Sequence, residues 1–190
     1  MREEPRLDRC PGCGDRLPAI DGAVHPYVGA SSACWTRFAE LSATLPRSPS
    51  RYRRLVTDAY MVQHPGVPER RAIQSVGAHL VALHLVLERG LPPEELSTTL
   101  QRLLERPPAW RWLEPPVPNG SMTMRAIAEA VGAGDEAGGQ GHAAALDAAA
   151  LDGVIEAYVR GVWDAWQGHR AVVVEWAKVQ PHRRATIARP

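Results

Sequence analysis

Cys10-Pro11-Gly12-Cys13-Gly14 carries the most specific chemistry in the chain. Two residues between thiolates let both sulfurs reach one ion, and glycine permits the tight turn that this demands. A pair of this kind is half of a tetrahedral site. His25, in His25-Pro26-Tyr27, and Cys34, in Ser31-Ser32-Ala33-Cys34-Trp35, supply two further ligands of the right type within the same short segment. Cys10, Cys13, His25 and Cys34 are therefore expected to form a closed Cys3His zinc site, with His25 the ligand most readily replaced by another histidine. A thioredoxin-like redox pair is the rival, but it wants a strand before Cys10 and a helix from Cys13, which Gly14 and Pro18 oppose. Unligated buried thiols are the plainer alternative. Four protein ligands leave no open position for water, so zinc held this way would order residues 8–34 and catalyse nothing.

Any catalysis then has to come from elsewhere. Asp58, Gln63, His64, His79 and His169 are polar residues on, or at the ends of, otherwise apolar helical faces. Asp58 lies between Leu55 and Val62, where an ionised carboxylate is costly without a partner. A histidine bonded to it would have its tautomer fixed and its basicity raised, which serves a general base or a metal ligand. Asp58, His64, His79 and His169 are thus the candidate acid–base residues, against the alternative that buried Asp and His merely satisfy one another. Trp163, Trp166 and Trp176 around His169 could wall a ligand pocket. With six tryptophans and one phenylalanine, however, the chain uses tryptophan as its large core ring. P-loop, Gly-x-Gly-x-x-Gly, His-Glu-x-x-His and Gly-x-Ser-x-Gly motifs are absent, so nucleotide, dinucleotide, zincin and serine-hydrolase readings have no support.

The elements that must position these residues read as helices. Val76 to Leu87 carries no formal charge, and Ile73, Val76, Leu80, Leu83 and Leu87 recur at helical spacing, so this is the expected central helix, starting near Pro68 and ending by Gly90. His79 and His84 on it are about 140° apart and face different neighbours. Further helices are expected over 34–45, 50–63, 93–106, 121–133 and 144–179, the last bending at Gly161 or Gly168. The proline-rich stretch 107–120, with Trp110, Trp112 and Leu113, reads as an extended strap, and 132–141 as a flexible loop. The expected architecture is all-α: one helical domain over 1–190, with the zinc-binding segment 8–34 docked on a helical bundle. Lys plus Arg number 22 against 21 Asp plus Glu, which leaves no electrostatic footprint for nucleic acid. No run is long and apolar enough to span a membrane, no signal peptide is evident, and an odd cysteine count suits a reducing, cytoplasmic setting.

Cys10-Pro11-Gly12-Cys13-Gly14, the Cys34-Trp35 pair, Val56 to Gly66 with its Asp-Ala-Tyr-x-x-Gln-His-Pro string, Ile73 to Leu80 and Trp112 to Pro116 together resemble an uncharacterised bacterial domain-of-unknown-function family common in actinobacteria. The resemblance spans nearly the whole chain. It implies a small cytoplasmic protein without an assigned activity, and it points to Asp58, Gln63, His64 and His79. A second likeness is to the DinB-like four-helix metal enzymes, which gather three histidines between helices. Their late His-x-x-x-His pair is missing here, where His169 stands alone. The expected function is a zinc-binding helical protein with a polar Asp/His pocket for acid–base or metal-assisted chemistry on a small molecule. The alternative is a non-catalytic adaptor whose zinc segment meets a protein partner.

Overall fold

The structure, a computed structural model, describes residues 6–45, 50–130 and 148–178. Strands β1 (Leu7–Arg9) and β2 (Arg16–Pro18) pair antiparallel, with Arg9 opposite Arg16. Pro11, Gly12, Gly14 and Pro18 predict no regular structure in this segment. The Pro11–Gly14 turn nevertheless folds the chain back far enough for three rungs of ladder. Helix α1 (Ser32–Thr44) follows, and the Ser31 side chain accepts a hydrogen bond from the Cys34 N–H, satisfying a donor that a helix start leaves free.

The helix expected over 50–63 is two: α2 (Arg51–Arg54) and α3 (Val56–Gln63). The break is at buried Leu55, whose N–H bonds to Tyr52 O three residues back, tightening the chain for one turn. Helix α4 (Arg70–Leu87) is the expected central helix, with Val76, Leu80, Val81, Leu83 and Val86 buried. It packs against α3, α5 (Pro93–Glu105), α7 (Ala148–Ala165) and α8 (Arg170–Trp176). A helix apolar on nearly every side is enclosed because each uncovered side would leave hydrocarbon in water, at about 25 cal/mol per Å². Pro93 opens α5 at a position where a missing N–H costs nothing.

After α5 the chain runs without regular structure to the short α6 (Met124–Ala130), where Thr123 Oγ1 accepts from the Ala126 N–H. This strap is pinned at Asn119. Its amide donates to Val62 O and Gln63 O, 3.1 and 3.0 Å away, and its Oδ1 accepts from Trp166 Nε1 at 2.9 Å. The expected long C-terminal helix is interrupted by a 3₁₀ turn, Trp166–His169, which contains Gly168 and separates α7 from α8. Val159, Val162, Trp163, Trp166, Val173 and Trp176 are all buried there, so the tryptophans are core and His169 lies at the margin. The 132–141 loop lies outside the described residues. One continuous apolar cluster runs from Cys10 and Leu17 to Trp176, and no described helix is long and apolar enough to cross a membrane.

Candidate metal centre

The hairpin turn brings Cys10 and Cys13 together. Cys10 N–H donates to Asp15 O at 2.7 Å and Gly14 N–H to Cys10 O at 3.0 Å, closing the knuckle, while buried Leu17 anchors the returning strand against α1. Asp15 accepts from Arg16 N and from Arg125 Nε of α6, at 2.9 and 3.1 Å, which ties the knuckle to the helical body. Cys34 arrives from the first turn of α1. The fourth member comes from the end of α3 and is His64. The ligand atoms of Cys10, Cys13, Cys34 and His64 all lie within 4.8 Å of one another, a Cys3His group close enough to hold a metal ion.

The histidine therefore differs from the one expected. His25 stands outside the group, its ring edge-on to Tyr27 at 4.1 Å and tilted against Trp35 at 6.1 Å. Its Nδ1 is buried and has no hydrogen-bond partner among the described residues. His64 takes the fourth place because the loop after His25 runs along the α3–α4 turn: Val28 bridges Pro65, and Gly29 N–H donates to His64 O at 2.9 Å. The thiols of the N-terminal segment are thereby laid against the end of α3. Gly12 makes the approach possible, since a Cβ there would stand 2.5 Å from His64 Cδ2 and 2.7 Å from Gln63 O.

The imidazole of His64 is held in one orientation. Its Nδ1 lies 2.9 Å from Tyr60 O, and a carbonyl only accepts, so Nδ1 carries the proton and Nε2 keeps a lone pair. That Nε2 is 3.3 Å from Cys34 Sγ, and Cys13 Sγ is 4.0 Å from Cys34 Sγ. A tetrahedral zinc would set two sulfurs about 3.8 Å apart and a sulfur and a nitrogen about 3.5 Å apart, given bonds of about 2.3 and 2.0 Å. The spacing fits. Tyr60 contributes further, its ring stacked between His64 at 4.0 Å and Phe38 at 3.9 Å, and its hydroxyl donating to Cys34 Sγ at 3.6 Å. Burial pushes the Tyr60 hydroxyl far up, so it remains a donor.

The three sulfurs do not ionise alike. Hydrogen bonds from Cys13 and Cys34 hold the Cys10 thiol far below its ordinary value, whereas Cys10 pushes Cys13 up to about 11 and Cys34 well beyond that. One negative charge among three is what crowded thiols support by themselves; a divalent cation at their centre would let all three ionise. Cys10, Cys34 and His64 are buried and Cys13 is partly exposed.

Next to the ligand, Gln63 sits in a polar knot with every side-chain atom paired. Its Nε2 donates to Asn119 O and Met122 O at 2.9 and 2.7 Å, and its Oε1 accepts from Tyr158 O–H at 3.2 Å. The remaining candidate acid–base residues do not converge. Asp58 Oδ1 accepts from His79 Nδ1 at 2.8 Å across α3 and α4, His169 Nε2 bonds to Glu114 O of the strap at 2.8 Å, and His64 faces the sulfurs. Asp58 and His79 meet across the packed faces of α3 and α4, the two helices joined by the turn after His64.

Comparison with known proteins adds the family and nothing further about chemistry. The chain belongs to the family described as "Family of unknown function (DUF5946)", whose model matches residues 8–167. No curated protein matches the chain, and no solved structure does.

Proposed function

We propose that this protein is a zinc-binding helical protein in which the ion, held by Cys10, Cys13, Cys34 and His64, fastens the N-terminal segment to the helical body. The observation that carries the reading is the mutual approach of three sulfurs and one lone-pair imidazole nitrogen within 4.8 Å. Thiolate and imidazole donors in a tetrahedron select zinc, with iron the nearest competitor. Four protein ligands complete the coordination shell, so the ion's work is structural. Three unpaired cysteines suit the reducing conditions of a cytoplasm. Elemental analysis of protein purified without added metal is expected to find one zinc per chain, dropping to none after Cys10→Ser with Cys13→Ser. Iron in its place, or zinc retained by the double variant, would refute the assignment.

A second reading rests on the Asp58–His79 pair. The carboxylate accepts from Nδ1, so the opposite nitrogen, Nε2, keeps its lone pair while the side chain stays 25 % exposed. This is the arrangement of an oriented general base, suited to proton transfer on a small molecule. Carbethoxylation with diethyl pyrocarbonate, mapped by peptide mass, is expected to modify His79 faster than His169, and more slowly in Asp58→Asn. Equal rates at the two histidines, unaffected by Asp58→Asn, would leave the pair as a structural contact.

A further inference from the structure

Cys13 differs from the other members of the metal centre in where it lies. Cys10, Cys34 and His64 are 0 % exposed, whereas Cys13 is partly exposed, so a reagent arriving from solvent meets Cys13 first. The hydrogen bonding differs in the same sense. Cys34 Sγ accepts from the Tyr60 hydroxyl at 3.6 Å, and a donor on sulfur draws off the electron density that a nucleophile needs. Among the described residues, Cys13 Sγ receives no side-chain hydroxyl or N–H. Its sulfur lies 4.0 Å from Cys34 Sγ, and a shift of about 1 Å by each brings the two to bonding distance. With an ion in place, three thiolates and a neutral imidazole outweigh a divalent charge by one, so the sulfurs stay electron-rich while bound.

We propose that Cys13 is a site of oxidation by hydroperoxides, with Cys34 as the thiolate that completes a disulfide. The inference rests on the zinc reading and adds to it the way in which the fastening is undone. Cys13 Sγ attacks one peroxide oxygen: the S–O bond forms, the O–O bond breaks, sulfur gives up two electrons, and the departing hydroxide takes a proton from solvent. Cys34 Sγ then attacks the sulfenic sulfur of Cys13: the S–S bond forms, the S–O bond breaks, and a second hydroxide leaves and is protonated to water. In sum, two thiolates, one hydrogen peroxide and two protons become a disulfide and two waters.

Both sulfurs are then spent, and Cys10 with His64 cannot close a tetrahedron by themselves. The new bond joins the N-terminal segment to itself, between the knuckle and the first turn of α1. What is lost is the tie to His64 at the end of α3. Helix α4 keeps its contacts, because Leu80, Val81, Ala82 and Leu83 are enclosed without help from the sulfurs.

The test begins with the metal content of the purified full-length protein, since a chain that carries no zinc refutes the zinc reading and this inference together. On zinc-loaded protein, brief treatment with iodoacetamide, mapped by peptide mass, is expected to modify Cys13 about tenfold faster than Cys10 or Cys34, which only local opening exposes. Hydrogen peroxide should release zinc to a chromogenic chelator in step with a disulfide between Cys13 and Cys34, free thiols being alkylated at the quench. Amide exchange should quicken over residues 8–29 and at His64 while Leu80 to Leu83 stay protected, and dithiothreitol with added zinc should restore the starting state. Three results overturn the inference and leave the zinc reading standing: zinc and thiols that survive peroxide, first alkylation at Cys10 or Cys34, or a disulfide that leaves Cys13 or Cys34 reduced.

Discussion

The N-terminal segment and the α3–α4 pair lie against each other at His64, and different physics orders each. Helix α4 is held by surface: Leu80, Val81, Ala82 and Leu83 are fully buried, and their removal from water organises the helices around them. The segment from Leu7 to Gly29 offers three rungs of strand, Leu17 and little else apolar in its interior, so points of attachment must replace area. Those points are the sulfurs, the Asp15–Arg125 pair and the Gly29–His64 hydrogen bond. A segment too small to bury a core can be ordered by a few strong, directional contacts, as small metal-stapled domains are.

The largest expected effect breaks one side of this contrast and spares the other. Chelation, or Cys34→Ser, removes a contribution that in structural zinc peptides is about 10–16 kcal/mol. Residues 8–34 should then lose amide protection while the helical circular dichroism persists. A collapse of the whole helical signal would show that the two regions are one cooperative unit. Leu80→Ala does the converse and should cost about 2–5 kcal/mol in denaturant unfolding, by the same amount with and without metal. A cost that depends on metal would mean that α4 is part of the site's support.

Gln63→Leu is expected to sharpen the comparison, because it leaves buried partners on Asn119, Met122 and Tyr158 unsatisfied beside a ligand. A loss of about 1–3 kcal/mol should appear in unfolding, together with weaker metal retention against a chelator. Unfolding alone would separate the polar knot from the site. The smallest effect is one of pH and belongs to the helical body. His84 is held below its ordinary value by burial, partly offset by Glu88, so the unfolded chain binds the extra proton and stability should decline as pH falls below about 6.5. Glu88 is itself held down, first by its hydrogen bond from Arg170, and that stability is present above the ordinary carboxylate value and lost as pH falls through the lowered one. His84→Gln should flatten the first decline and leave the second.

The sequence was legible where pattern and physics coincide. The spacing of Ile73, Val76, Leu80 and Leu83 marks α4, Pro93 marks the start of α5, and Gly168 sits in the break of the C-terminal helix. The three thiols were legible because two residues between Cys10 and Cys13 admit few other uses. The histidine was not. His25 was favoured by nearness along the chain, whereas His64 is 30 residues from Cys34 and reaches it only through the passage of Val28 and Gly29 along Pro65. The available hint was polar: Gln63-His64-Pro65-Gly66 places two hydrogen-bonding side chains at a helix end beside residues that stop a helix. The Asn119 knot left no such hint, since nothing local announces that a strap amide will meet carbonyls 56 and 57 residues earlier.

Under the proposed zinc reading, those carbonyls imply an order in time. Cys10, Cys13 and Cys34 lie within one short stretch and can collect an ion on three sulfurs while the rest of the chain is still searching. His64 is different, for the last carbonyls of its helix are answered by Asn119, and Asn119 in turn by the indole of Trp166. If the site holds zinc as proposed, its fourth ligand is seated by residues that come later in the sequence, and closure of the metal shell would report that the helices have met. In refolding, a cobalt-substituted protein should pass through a spectrum with three sulfurs and a solvent oxygen before the nitrogen arrives. Asn119→Leu should prolong that interval while leaving the first capture as fast as before.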